Sequence, residues 1–170
     1  MAKLPDAAFT RLLAIIKTPD FGEVPVGDEV ALVDSEDLGG VSEVSWHLSK
    51  GYAAARIGGG VVLMHRMLLS APDGQEVDHI NGDKLDNRRR NLRFCTRQQN
   101  ARNRHHVAGR SKFKGVRRDR GIWRAQIKVD GVTRHIGVFP TERLAAKAYD
   151  SEAHRLFGEF ARTNADLGLF

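Results

Sequence analysis

Asp78 and His79 stand side by side in the stretch Val77-Asp78-His79. Asn91 follows the histidine by 12 residues and Asn100 follows it by 21. These residue types suit hydrolysis of a phosphodiester. That reaction needs an activated water, a cation to offset charge developing on the phosphate, stabilisation of the departing oxygen and a grip on the flanking phosphates. A histidine of ordinary pKa, about 6.5, is mostly neutral at about pH 7.5 and can take a proton from water. It does so best with one ring nitrogen held by an amide carbonyl, and Asn91, on a facing strand, is placed to supply one. Asp78 and Asn100 offer hard oxygens, which suit Mg²⁺ or Mn²⁺ and suit zinc poorly; two protein oxygens leave room for waters and phosphate oxygens. Neighbours on a regular strand point to opposite faces, so Asp78 and His79 share one site only if the chain kinks locally. By spacing alone, the asparagines also fit an ordinary turn-forming loop, as Asp86-Asn87 does.

The elements that must hold these residues are legible around them. Val77 to Thr96 reads as a strand end, a long polar loop and a second strand, NLRFCT. Thr96 precedes Gln99 by three residues, the capping-box pattern that opens a helix in RQQNARNRH. Upstream, short β-like runs at 30–33, 41–46, 52–57 and 61–64 are separated by Gly39-Gly40, Lys50-Gly51 and Gly58-Gly59-Gly60. They predict a small antiparallel meander with Trp46 in its core, followed by one helical turn at 65–70 that His65 opens. Residues 7–17 read as a short amphipathic helix or an extended arm, and 105–112, with His105-His106, as a solvent-facing linker. Cys95, alternating with Phe94, reads as buried packing.

The C-terminal third is the plainest. In 123–130, Trp123, Ala125, Ile127 and Val129 alternate with Arg124, Gln126 and Lys128. Asp130-Gly131 is a two-residue hairpin turn into 132–139, and 113–118 supplies a strand before. Pro140-Thr141-Glu142 opens a helix in which Ala145, Ala148, Tyr149 and Leu156 recur at helical spacing before a stop at Gly158. Three antiparallel strands backed by one helix follow, with Arg124, Gln126 and Lys128 on the open face.

Charge supports a polyanionic partner. The chain carries 27 Lys and Arg against 21 Asp and Glu. The balance is −4 over residues 1–60, +5 over 61–110 and +5 over 111–170. A local basic excess of this kind is the footprint of nucleic-acid binding. The single cysteine excludes a disulfide framework and any zinc site built on cysteine pairs. Apolar runs such as 61–64 are too short to cross a bilayer, and no signal-peptide pattern opens the chain; a cytoplasmic protein without a membrane partner is expected.

VDHINGDKLDNRRRNLRFCTRQQN resembles the HNH endonucleases, the ββα-metal nucleases of phages and mobile introns. The DHINGD, DNRRRNL and T-x-x-x-N blocks occur in order, and the likeness extends upstream through Met64-His65-Arg66 and the preceding strands. The resemblance implies His79 as general base, Asn91 as the residue orienting it, Asp78 and Asn100 as ligands of one divalent ion, and products bearing a 5′-phosphate and a 3′-hydroxyl. At the last position, where the family name has its second histidine, this chain has Asn, as phage intron members do. Arg88, Arg89, Arg90 and Arg93, flanking the site, are expected to grip phosphate. Residues 111–164 resemble the APETALA/ethylene-response-factor (AP2/ERF) DNA-binding domain, from KGVRR through the W-x-A-x-I and IGVF strands and AAKAYD to FGEFARTN. By position, the resemblance places Lys114, Arg117, Arg124, Gln126, Lys128, Thr133 and His135 against the major groove, with Arg or Lys expected on guanine and Gln on adenine. The first hairpin is shorter than in plant members and His135 stands where they have Trp, so their target sequence does not transfer.

The expected architecture is α+β. An N-terminal β-rich support (1–60) leads into an HNH module (61–104), a linker (105–112) and a sheet-on-helix DNA-binding domain (113–165). The expected function is site-specific cleavage of double-stranded DNA with Mg²⁺ or Mn²⁺, by a chain for which a monomer is favoured. The rival is a DNA-binding regulator that keeps the nuclease fold without its activity. An RNA-binding role fits less well, because the open sheet face lacks paired aromatics for stacking.

Overall fold

A computed structural model of the 170-residue chain describes residues 20–103 and 111–170. The proposed arm at 7–17 and most of the proposed linker lie outside the described residues. Among the described residues the architecture is α+β, with four small antiparallel sheets and several helices. It divides into two compact units that do not follow chain order: one holds residues 20–70 and 84–91, the other 71–83 and the chain from Leu92 onward.

In the first unit, β1 (Phe21–Val26) pairs with β2 (Glu29–Asp34) across the Gly27 turn. Val24, Val26, Ala31 and Val33 alternate inward, which is why these runs form strands. The expected strand at 41–46 is instead the short helix α1 (Leu38–Val41) and a turn. Trp46 is buried as expected, and its indole N–H donates to Val41 O at 2.8 Å. β3 (His47–Ser49), β4 (Tyr52–Ile57) and β5 (Gly60–Leu63) form a three-stranded meander, and α2 (Met64–Leu68) is the expected helical turn, with His65 buried. The polar segment 84–91 is bound to β2: Leu32 N donates to Leu85 O at 2.8 Å and Asn87 N to Leu32 O at 2.7 Å.

In the second unit, β6 (Glu76–His79) pairs antiparallel with β7 (Leu92–Cys95), and α3 (Arg97–Asn103) packs on both. The capping box forms: Thr96 N donates to Gln99 Oε1 at 2.7 Å, and Gln99 N to Thr96 Oγ1 at 3.2 Å. β8 (Val116–Asp119), β9 (Ile122–Val129) and β10 (Val132–Phe139) make the C-terminal sheet, with β9 central. α4 (Glu142–Phe157) lies across it, capped by Thr141 as expected. The core between them holds Val116, Ala125, Ile127, Ala145, Tyr149 and Ala153. Gly115, at φ 74°, lets the backbone press onto Tyr149; a Cβ there would stand 1.9 Å from the ring. The segment after α4 is locked by Asp150, which accepts from Asn164 N at 2.8 Å, Asn164 Nδ2 at 2.7 Å and Ala165 N at 3.0 Å.

Candidate active site

β6 is buried from Val77 through His79, which is unusual for a strand carrying two ionisable side chains. Its pairing is regular: Asp78 faces Arg93 and His79 faces Leu92 across the ladder. The kink expected between Asp78 and His79 is therefore absent from the ladder. The strand ends at His79, whose carbonyl accepts the Gly82 N–H at 2.9 Å as the chain turns into the polar loop.

Asp78 has a dense set of partners. Its Oδ2 accepts from Arg93 Nη2 at 2.8 Å and Nε at 3.1 Å. Asn103 Nδ2 lies 2.9 Å from Asp78 Oδ1, 3.0 Å from Oδ2 and 2.7 Å from His79 O. Asn103 is 7% exposed, and its Oδ1 is shielded from solvent without a hydrogen-bond partner. Asn100, one turn earlier on α3, donates instead to Glu76 Oε2 at 2.6 Å. α3 thus brings Asn103, which sequence spacing did not single out, against Asp78. The signal was available as a second Asn three residues along the same helix face.

Arg93 is committed on its other side as well. Its Nη1 donates to Glu159 O at 2.5 Å, and the guanidinium stacks 4.2 Å from the Phe160 ring. The other expected phosphate-gripping arginines sit in the first unit. Arg88 makes a two-point pair with Asp86 at 2.6 and 2.7 Å. Arg89 does the same with Asp37 at 2.8 and 2.7 Å, and that hydrogen bond raises its pKa further. Arg90 is exposed. Asn91, expected on the facing strand, instead closes the 3-10 turn Arg89–Asn91 just before β7, and its Nδ2 donates to Asp86 O at 2.7 Å. At the end of β7, burial, followed by the charges of Asp78 and Glu76, pushes the Cys95 thiol up to about 11.

On the C-terminal sheet, Arg117 pairs with Arg124, Gln126 with His135 and Lys128 with Thr133. Arg117, Lys128, Thr133 and His135 are exposed, while Arg124 is partly covered and bound to Asp119 at 2.8 Å. A bulge between His135 and Gly137 sets Val138 beside Arg124, an exposed apolar residue in this row that the sequence reading omitted. Lys114, expected on the same face, is placed differently. It precedes β8, its ammonium donates to Arg102 O at 2.7 Å, and burial, helped by Arg162, lowers its pKa to about 8.

Among the described residues, no group of three or more His, Cys, Asp or Glu side chains is placed to hold a metal ion. The oxygens near Asp78 suit a hard cation that takes its remaining ligands from water and substrate. No helix among the described residues is long and apolar enough to cross a membrane.

The segment 70–102 matches the family model described as HNH endonuclease. That window holds Asp78, His79, Asn91 and Asn100 and stops one residue short of Asn103. Over 131 residues the chain is 36% identical to an uncharacterized HNH endonuclease of Acanthamoeba polyphaga mimivirus, an alignment covering 73% of this chain and 68% of that protein. No solved structure matches.

Proposed function

Because the chain belongs to the HNH endonuclease family, we propose that it is a site-specific DNA endonuclease of the homing or phage type, directed to its site by the C-terminal sheet. The observation that carries this reading is the pair Asp78-His79, buried together at the end of β6 under an asparagine-bearing helix. Burial without function is costly for both groups, since each must be desolvated and then paired.

In this reading His79 takes the proton from the attacking water. The family pattern assigns Asn91 the role of orienting the imidazole. Asp78, with an amide oxygen from α3, where Asn100 occupies the family spacing, holds one Mg²⁺ or Mn²⁺. When bound, that ion offsets charge on the phosphate and on the departing 3′-oxygen, leaving a 5′-phosphate. The exposed Arg117, Lys128, Thr133 and His135, with the partly covered Arg124 and Gln126, supply affinity and base contacts in the manner of an AP2/ERF sheet. Lys114 leaves that set because its ammonium is spent on Arg102 O.

The test is cleavage of supercoiled and genomic DNA by the chain and its His79→Ala variant in Mg²⁺. The reading predicts Mg²⁺-dependent cutting by the parent and none by the variant, with DNA binding kept in both. Tight binding without cutting by the parent would reject the nuclease in favour of a DNA-binding regulator. Lys128→Ala should weaken binding and flatten its salt dependence; unchanged binding would remove the sheet from the DNA interface.

A further inference from the structure

Asn103 is wired against its own chemistry. A side-chain amide has two N–H donors, yet three oxygens crowd its nitrogen: both carboxylate oxygens of Asp78, at 2.9 and 3.0 Å, and His79 O, at 2.7 Å. His79 O already accepts from Gly82 N. The amide oxygen, meanwhile, is buried with no donor at all. An over-subscribed nitrogen beside an orphaned oxygen is expensive in a side chain only 7% exposed. A half-turn of the amide would move the oxygen to the carboxylate, which repels it unless a positive charge sits between them. Separations of 2.9–3.0 Å are those that adjacent oxygens keep around a cation with bonds of about 2.1 Å.

We infer that Asn103 Oδ1, rather than an oxygen of Asn100, is the second protein ligand of the divalent ion held by Asp78. Asn100 Nδ2 is engaged by Glu76 Oε2 at 2.6 Å, which turns that amide to the carboxylate at the start of β6. The inference rests on the metal-dependent reading above and assigns the ligand within it. It makes Asn103 a determinant of ion choice: one carboxylate and one neutral amide form a hard, low-charge site that favours Mg²⁺ and Mn²⁺ over softer ions.

The experiment reads ion binding directly, without DNA. The full chain is titrated with Mn²⁺, and the six-line spectrum of the free ion is followed by electron paramagnetic resonance. The variants are Asn103→Ala, Asn103→Asp and Asn100→Ala, and each one's fold is checked by circular dichroism. The parent should bind one Mn²⁺. Asn103→Ala should weaken binding by roughly tenfold or more, and Asn100→Ala should leave it near the parent value. Asn103→Asp separates ligand from scaffold. A ligand role predicts binding kept or tightened, since the carboxylate still presents oxygen. A scaffold role, donating to Asp78, predicts loss of binding, because two carboxylates then repel. Parent-like binding by Asn103→Ala, loss confined to Asn100→Ala, or loss in Asn103→Asp overturns the inference while leaving the metal-dependent nuclease standing. A parent that binds no Mn²⁺ overturns the metal reading itself.

Discussion

Arg93→Ala probes the charge arrangement at Asp78. In the parent, Arg93 and Asp78 are both nearly sealed, with side chains 10% and 6% exposed. The guanidinium makes two bonds to one carboxylate oxygen, donates to Glu159 O and stacks on Phe160. Removing one partner of a buried ion pair strands the other charge and costs about 3–5 kcal/mol. The Asn103 amide remains on Asp78, so the lower end, about 3 kcal/mol, is expected. For a chain of this length that lowers the melting temperature by roughly 6–12 °C. The assay is urea unfolding followed by tryptophan fluorescence in a Trp46→Phe background, which leaves Trp123 of the same unit as reporter, for Arg93→Ala, Asp78→Asn and the double variant. The double variant should lose less than the sum of the singles by about 2 kcal/mol. A divalent ion should compensate the missing guanidinium. At a hundredfold excess over its dissociation constant it stabilises by about 2.7 kcal/mol, and the gain should be larger in Arg93→Ala than in the parent, where the guanidinium competes. A cost below about 1 kcal/mol, or additive losses, would refute the argument that Arg93 neutralises Asp78.

Two further outcomes follow from the shifted groups. The Lys114 ammonium loses its proton near pH 8 in the native state but near 10.5 when unfolded. The unfolded chain therefore binds more protons between these values, and this group's contribution to stability rises with pH across that window by roughly 3 kcal/mol. The stability margin of Lys114→Met over the parent should accordingly narrow from pH 7.5 to pH 10 in urea titrations; a constant margin would contradict the burial of the ammonium. Cys95, 4% exposed with its thiol held near 11, should resist iodoacetamide at pH 8 in the native chain and react readily in urea; equal rates would place the thiol at the surface.

Much of this molecule follows from local rules. The C-terminal sheet and helix were readable because strand alternation, the Asp130-Gly131 turn and the Thr141 cap agree with one another; Asp130 and Gly131 both take the positive φ that such a turn demands, 52° and 83°. The Thr96 capping box was readable for the same reason. The reading failed where tertiary contacts override pattern. The run 41–46 alternates like a strand, but the indole of Trp46 is tied to Val41 O, which suits a turn. β1 leaves little trace in the sequence because Gly22 and Pro25 are poor strand residues; a Cβ on Gly22 would stand 2.3 Å from the Leu38 side chain. At the candidate site, residue types and spacing point to Asp78 and His79. They could not show which face of α3 meets β6, and hence that Asn103 lies against Asp78. Nor could they show Lys114 drawn inward, since the Gly115 turn that precedes β8 leaves no periodic trace.

The grip of Glu159 and Phe160 on Arg93 bears on how such chains can be dismembered. The counter-ion of the carboxylate on β6 is anchored 66 residues further along the chain, beyond the end of α4. A gene that stops after the α3 helix would encode every block of the nuclease signature and still yield a protein whose Arg93 swings free of its anchor. Recombination that exchanges C-terminal segments among relatives must therefore carry a carbonyl and an aromatic ring to that same spot, or let another residue take over the arginine.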